Sequence, residues 1–321
     1  MPVPAPAMIL PFAHPPGPAG APPHTDPVQA LAAQQAQGVL AVVTGIEGPS
    51  YRPLGATMAL LPDGRRIGSL SSGCIEADLH RHADRALAQG RPLCVRYGKG
   101  SPWFDIRLPC GGGLDITLLP RPAPALLNRA TALRQARRPH ALAICPDRGL
   151  CHIAADRPTG WENGLFYAAV RPEPRFLIFG KGPETIVFAG LVHSAHFPCL
   201  LLSHDPETLE LAGRGGMATR LLSRDGLPGE VAVDRWTAAV LFYHDHDHEP
   251  PILRDLLATD ACYIGAQGSR RTRDNRLAAL RAMGVSDVDI ARLKGPIGLV
   301  PSARDPRTLA ISVLAEVLSL Q

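Results

Sequence analysis

The sequence predicts an α/β chain in two parts: an N-terminal α+β domain with mixed or antiparallel strands, followed by a doubly wound domain with a parallel sheet. Three observations lead there. Before "RPEPR" (Arg171 to Arg175) short strand-like runs follow one another with few helical segments between them. After it, short apolar strands alternate with helical or loop segments, which is how a parallel sheet is written in sequence. The first of those strands, "RFLIFGKG", also runs directly into glycines and a helix candidate. The expected divisions are a Pro/Ala-rich tail over 1–24, the α+β domain over 25–172 and the parallel-sheet domain over 173–321.

In chain order, "VQALAAQQAQG" reads as a helix ending at Gly38, and "VLAVVTGI", "GATMALL" and "RIGSL" read as strands, the last after the turn "PDGR". Ile75, Leu79 and Ala83 recur at four-residue steps, with Ala86 and Leu87 after them, so a helix starts near Ile75 and runs to Gly90. "LCVRYG" and "LDITLLP" are strand candidates, "PALLNRATALRQARRP" is helical, and "HALAICP" and "LCHIAA" form a strand pair around "DRG". In the second half "RFLIFG", "CLLLSHD", "ATRLLS", "AAVLFYH" and "CYIGAQG" are strands. "ETIVFAGLVHSA", "RTRDNRLAALRAMG", "SDVDIARLKG" and "DPRTLAISVLAEVLSL" are helical.

Composition bounds the function classes. The 321 residues are 45% hydrophobic and 19% charged, an ordinary globular balance for about two domains. The net charge of +4 is scattered with no long basic run, which argues against nucleic-acid binding. The opening "MPVPAPAMILPFAHPPGPAGAPP" has no basic leader and its apolar stretch is broken by proline, so neither a signal peptide nor a membrane span is expected. Seven cysteines, an odd number with no export signal, point to reduced thiols in the cytoplasm.

Within "SLSSGCIEADL", Cys74 sits between a Ser/Gly turn and a helix start, where the helix dipole lowers a thiol pKa and Glu76 opposes that effect. In "LPCGGGLDI", Cys110 precedes Gly111, Gly112 and Gly113, whose backbone can gather N–H groups into an anion-binding nest. Either thiol alone would read as buried and inert; two beside glycine turns in one domain make a site candidate. "CPDRGLCH" (Cys145, Cys151, His152) has neither zinc-finger nor haem-attachment spacing and is read as structural.

Three candidates lie in the second half. In "IFGKGPET", Gly180 and Gly182 at a strand end suit a phosphate-bearing ligand, and Asp205, at the end of the next strand, suits ribose hydroxyls. In "FYHDHDHEPP", three alternating imidazoles lack a second cluster to complete a metal site. His244 and Asp245 are therefore read as ligand-cleft residues and His248 as solvated. In "YIGAQGSRRTRDNR", Gly265, Gly268 and Ser269 read as a flexible strand-to-helix turn, with Arg270 next to it for an anion. Gly180, Asp205, His244 and Gly265 should lie near one sheet edge.

Together "GSLSSGCIEADL", "LPCGGGLDI" and the block from "YHDHDHEPP" through "KGPIGL" resemble the xanthine dehydrogenase accessory protein family (XdhC/CoxI-like), over about Gly38 to Glu316 in three segments. The resemblance implies a Rossmann-type second domain and a cytoplasmic chaperone, without turnover of its own. Such a chaperone binds the molybdenum cofactor, supports addition of its sulfido ligand and hands it to an apo-molybdoenzyme of the xanthine dehydrogenase class. It implies that enzyme and a cysteine desulfurase as partners, and leaves a homodimer open. Cys74 and Cys110 become candidate molybdenum ligands or sulfur-relay thiols, with Ser72, Gly73, Glu76, Gly111 and Gly112 around them. Ser72 stands where the family pattern often has glycine. Lys181-Gly182-Pro183-Glu184 replaces an "AGHV"-like turn, which disfavours standard dinucleotide binding, and the tail before Thr25 has no counterpart. The alternatives are an NAD(P)-dependent oxidoreductase and a scaffold that carries no cofactor.

Overall fold

The computed structural model describes residues 26–71, 73, 75–101, 111–223, 226–243 and 248–320. Ser72, Cys74, Cys110, His244 and Asp245 therefore lie outside the described residues. The chain divides into two compact units, Met1–Pro172 and Glu173–Gln321. No helix among the described residues is long and apolar enough to cross a membrane.

The first unit runs α1 (Pro27–Ala33), β1 (Val39–Glu47), β2 (Thr57–Leu60), β3 (Arg66–Gly68), α2 (Glu76–Gln89), β4 (Leu93–Gly98), β5 (Gly113–Pro120), α3 (Pro124–Gln135), β6 (His140–Cys145), β7 (Gly149–Ala155), β8 (Gly160–Glu162) and β9 (Leu165–Val170). A five-stranded sheet has the order β3-β2-β1-β5-β4 and a four-stranded sheet the order β7-β6-β9-β8. All the described pairings in both sheets are antiparallel. Alternation along β1 explains the layering, since successive side chains point to opposite faces. Val39, Ala41 and Val43 pack with Ile75, Leu79 and Ala83 on the α2 side. Leu40 and Val42 pack with Leu142, Ile144 and Phe166 of the second sheet.

Two sequence expectations need correction here. The first helix ends at Ala33, not Gly38: Gln35 and Ala36 take left-handed backbone, and the Ala36 N–H closes the helix on the Leu31 carbonyl at 2.9 Å. The turn places Ala36 in the core at 3% exposure, packed with Leu31 and Leu40. The sequence reading also passes over β8 and β9, although Phe166 is fully buried.

The second unit runs β10 (Arg175–Gly180), α4 (Pro183–Ser194), β11 (Cys199–Ser203), α5 (Pro206–Arg214), β12 (Thr219–Leu221), β13 (Thr237–Phe242), α6 (Glu249–Leu257), β14 (Tyr263–Ala266), α7 (Arg270–Ala282), α8 (Asp287–Ile290), β15 (Leu293–Lys294) and α9 (Pro306–Leu318). Its sheet has the order β12-β11-β10-β13-β14-β15, with parallel pairing throughout. Counted within the unit this is 3-2-1-4-5-6, the Rossmann order, whose reversal point lies between β10 and β13. Phe176 and Ile178 face Phe188, Val192 and Val313, while Leu177 and Phe179 face Ile252, Leu256 and Leu280. Helices thus cover both faces, and the strands read as continuous apolar runs for that reason. The segment "SDVDIARLKG" is not one helix: it closes after Ile290, and Leu293 and Lys294 pair with Ile264 and Gly265 as an edge strand.

Candidate functional site

The described segments that flank Cys74 and Cys110 run toward the same end of the five-stranded sheet. β1 ends at Glu47, which pairs with Gly113 at the start of β5, and Gly98 at the end of β4 pairs with the same glycine. β3 runs parallel to β1 through their shared antiparallel partner β2, so the chain leaves Gly68 toward that end before entering α2. α2 then descends on one face, and β4 climbs back.

Glu76 organises the first segment. Its Oε1 accepts from Ser69 Oγ (3.0 Å), the Leu70 N–H (3.2 Å) and the Ser71 N–H (2.9 Å). Its Oε2 accepts from Ser71 Oγ (2.6 Å) and the Ile75 N–H (3.2 Å). Burial by itself pushes this carboxyl up. The Ser71 hydroxyl and N–H, its own N–H and the Ser69 hydroxyl outweigh that and bring it down to about 2. Both carboxylate oxygens are therefore committed to Ser69, Leu70, Ser71 and Ile75. Glu76, expected as a cofactor contact, ties the Ser69–Ser71 segment to the start of α2. Two residues on, Asp78 accepts from the Tyr97 hydroxyl at 2.8 Å, tying the first turn of α2 to β4. Burial raises the Tyr97 hydroxyl, and the Asp78 carboxylate raises it further.

The glycines of these loops differ. Gly73 and Gly111 are exposed, and among the described residues other than their chain neighbours none lies within 4 Å of where a Cβ would stand. Gly112 is buried, and a Cβ there would lie 2.1 Å from the Pro49 carbonyl oxygen, so it is the close approach of two backbones that requires glycine. Its own carbonyl accepts from the Lys99 N–H at 3.0 Å. Around it Arg96 bonds Asp115 and Glu47, and Lys99 pairs with Glu47 at 2.7 Å.

The hairpin joining β6 and β7 carries Cys145 and Cys151. The Arg148 guanidinium, with the N–H groups of Asp147 and Arg148, holds the Cys145 thiol below its ordinary range. Burial instead pushes the Cys199 thiol up.

In the second unit the turn after β10 lies at the reversal point of the sheet, where ligands of this fold bind. Gly182, at φ 82°, caps α4, and its N–H is given to Thr208 Oγ1 at 3.1 Å. Pro183 at the first helical position has no N–H to give. Asp205 is the N-cap of α5: its Oδ2 accepts from the Thr208 N–H (3.0 Å) and Thr208 Oγ1 (2.5 Å), and these bonds hold its carboxyl below the usual range. The acid read as a ribose contact is thus engaged as a cap, and a glycine-turn donor is spent on the same threonine. Ser269 likewise caps α7, accepting from the Thr272 N–H at 3.2 Å. Arg270 stands exposed on the first turn of α7.

Gly265 is not part of a flexible turn. It lies inside β14, where a Cβ would be 2.5 Å from the Tyr263 ring and 2.8 Å from Ile297, so packing requires it. Gly268 does lie in the β14–α7 turn, under Arg276, whose Nη2 would stand 3.3 Å from a Cβ at that position.

His248 is not solvated. It is half-buried and stacked on His204 with ring centroids 4.0 Å apart, and His204 Nδ1 lies 3.0 Å from the Tyr243 hydroxyl. His204 follows β11 and Tyr243 follows β13, on either side of β10, so this cluster stands beside the glycine turn. The sequence reading misses His204 and Tyr243; their signal is a polar aromatic directly after an apolar strand. It also misses Arg276, whose guanidinium is buried against Glu249 at 2.9 Å and donates to the Gln267 carbonyl at 2.7 Å. That pair fixes the β14–α7 turn to the start of α6.

Comparison with known proteins follows the same division. Residues 31–98 match the model of the XdhC and CoxI family, and residues 176–317 match that of the XdhC Rossmann domain. The chain is 35% identical over 288 residues to the molybdenum cofactor insertion chaperone PaoD of Escherichia coli (strain K12), covering 88% of this chain and 83% of that protein. It is 25% identical to a probable subunit of xanthine dehydrogenase from Bacillus subtilis (strain 168), over 91% of this chain and 95% of that one. In fold it is similar to the crystal structure of a xanthine dehydrogenase from Bacillus halodurans, with a TM-score of 0.72 and 22% identity over 92% of this chain and 96% of the other.

Proposed function

Because the chain belongs to the XdhC and CoxI family, we propose that it acts in maturation of the molybdenum cofactor. It binds the cofactor as cargo, supports addition of the sulfido ligand together with a cysteine desulfurase, and delivers the product to an apo-molybdoenzyme of the xanthine dehydrogenase class. It works in the cytoplasm and turns over no substrate of its own. The observation that carries this reading is that the described segments flanking the two cysteines run toward one end of one sheet. The surroundings suit such a cargo. Thiolates of Cys74 and Cys110 are soft donors of the kind molybdenum accepts. Gly73 and Gly111 are exposed, and Glu76 ties Ser71 to the start of α2. The second unit carries a separate candidate for an anionic group in Arg270, exposed on the first turn of α7.

The test is retention. The full chain, purified from a cofactor-producing host, is assayed for molybdenum and for fluorescent oxidised pterin. Both are expected in the wild type, and both are expected to fall several-fold in Cys74→Ala/Cys110→Ala, with the fold unchanged. Cys199→Ala, a thiol half-buried in the other unit, is the control. Unchanged molybdenum and unchanged activation of the client enzyme in the double variant would overturn the thiol role. Released nicotinamide would favour an oxidoreductase, and neither ligand a scaffold.

A further inference from the structure

The face of the five-stranded sheet opposite α2 carries a groove of about 560 Å³ that the cysteine loops do not account for. Its construction begins with a bulge in β1, where the register to β5 shifts between Val43 and Gly45. Bulges re-aim side chains and are frequent beside binding sites. This one turns the Thr44 carbonyl toward Trp161, whose Nε1 donates to it at 2.8 Å. The Trp161 ring also meets Phe166 edge-on, with centroids 5.4 Å apart. The indole is held at two points and is still 52% exposed, a rigid aromatic wall with an uncovered surface.

Opposite the bulge, Gly45 faces Asp115. A Cβ at Gly45 would lie 2.3 Å from Asp115 Oδ2, so the carboxylate occupies the space a side chain would fill. Arg96 approaches both carboxylate oxygens through Nη1, at 3.0 and 2.9 Å. A carboxylate accepts about four hydrogen bonds, so one lone pair on each oxygen is left for a ligand. The floor holds the Thr44 and Thr117 hydroxyls, 2.9 Å apart, and the exposed Cys94 thiol of the edge strand lies 3.6 Å from Thr117 Oγ1. The polar groups of the mouth are thus an acceptor pair beside a guanidinium, and the side wall is a tryptophan.

We infer that this groove binds a planar bicyclic heterocycle through a 2-amino-4-oxo-pyrimidine edge, with Trp161 against the ring face and Asp115 taking the edge's two N–H groups. That edge presents two adjacent donors to a carboxylate and a carbonyl to a neighbouring guanidinium. It is shared by pterin and guanine and absent from adenine. The inference rests on the proposed cofactor cargo only in ranking pterin above guanine. The location agrees with that ranking, since Arg96 Nε donates to the Lys99 carbonyl and its Nη2 lies 2.9 Å from a Cβ built on Gly113, beside the second cysteine–glycine loop.

The experiment titrates the full chain calorimetrically with pterin, GMP and AMP. Pterin is expected to bind at least tenfold more tightly than AMP. Asp115→Asn, nearly isosteric, and Trp161→Ala should each weaken pterin tenfold or more, while Trp236→Ala in the second unit should not. Thermal melting checks that each variant folds, and Asp115→Asn carries the test if Trp161→Ala does not. Tighter binding of GMP than of pterin, with the same variant losses, assigns the groove to guanine. Equal binding of all three ligands, or wild-type binding by Asp115→Asn, overturns the inference. The cofactor reading is separable: molybdenum retained by the wild type and equally by Asp115→Asn sinks the groove alone. A wild type that retains no molybdenum but binds GMP through Asp115 sinks the cofactor reading alone.

Discussion

Replacing Glu76 with Gln tests whether one buried carboxylate ties the Ser69–Ser71 segment to the start of α2. Its pKa is depressed from 4.5 to about 2. Each tenfold change in proton affinity is worth about 1.4 kcal/mol, so that depression corresponds to roughly 3 kcal/mol of native-state stabilisation by the ionised form. A group depressed in the native state contributes fully above its unfolded pKa and loses the contribution as pH falls through its folded pKa. Glu76 should therefore stabilise this junction fully above pH 4.5 and not at all below about 2. Gln keeps one acceptor but turns an NH₂ group toward N–H donors now served by Oε1 or Oε2, so most of the stabilisation should vanish at pH 7. The assay is urea unfolding followed by hydrogen exchange over residues 66–89, so that unfolding of the second unit does not intrude. The wild type should exceed Glu76→Gln by about 2–3 kcal/mol at pH 7, the order expected for charge-assisted bonds to a buried carboxylate. The difference should shrink steadily between pH 5 and pH 2, because other titrating groups are common to both proteins and cancel. Equal stability at pH 7, or a gap that does not change with pH, would refute the reasoning.

Two further outcomes follow from the second unit. With the Gly182 N–H given to Thr208, no N–H on Pro183 and Asp205 engaged as a cap, calorimetric titration with NAD and NADP should show weak or no binding; micromolar affinity, about −8 kcal/mol, would restore the oxidoreductase reading. Arg276→Met removes the guanidinium that faces the Glu249 carboxylate, whose side chain is 1% exposed, and should cost about 3–5 kcal/mol in unfolding of this unit. Arg276→Met/Glu249→Leu should recover much of that loss, and a double variant no more stable than the single would show that the pair is not what matters.

What the sequence by itself determined is what local patterns carry. "LCVRYG" is β4 from end to end, and the four-residue apolar recurrence after Ile75 is α2, closed by Gly90 in left-handed backbone. "RFLIFG" leads a parallel sheet because strands covered on both faces must be apolar throughout. Both cysteine–glycine loops were legible as motifs for the same reason: residue type and neighbour order suffice to recognise them. Tertiary structure decided whatever depends on partners far along the chain. Asp205 and Ser269 cap on the residue three positions ahead, which local sequence contains, but the Gly182 N–H reaches Thr208 across 26 residues, and only that contact withdraws the glycine turn's donor from a ligand. "ARLKG" is compatible with a helix, but the free edge of β14 draws Leu293 and Lys294 into the sheet. Glu249 and Arg276 stand 27 residues apart and meet only because α6 and α7 pack on the same face. The register that sends the Ser69–Ser71 and Gly111–Gly113 segments toward one sheet end is likewise non-local. It is set by hydrogen bonds between strands distant in the chain, such as those that bring Val43 beside Ile116, which no window of local sequence contains.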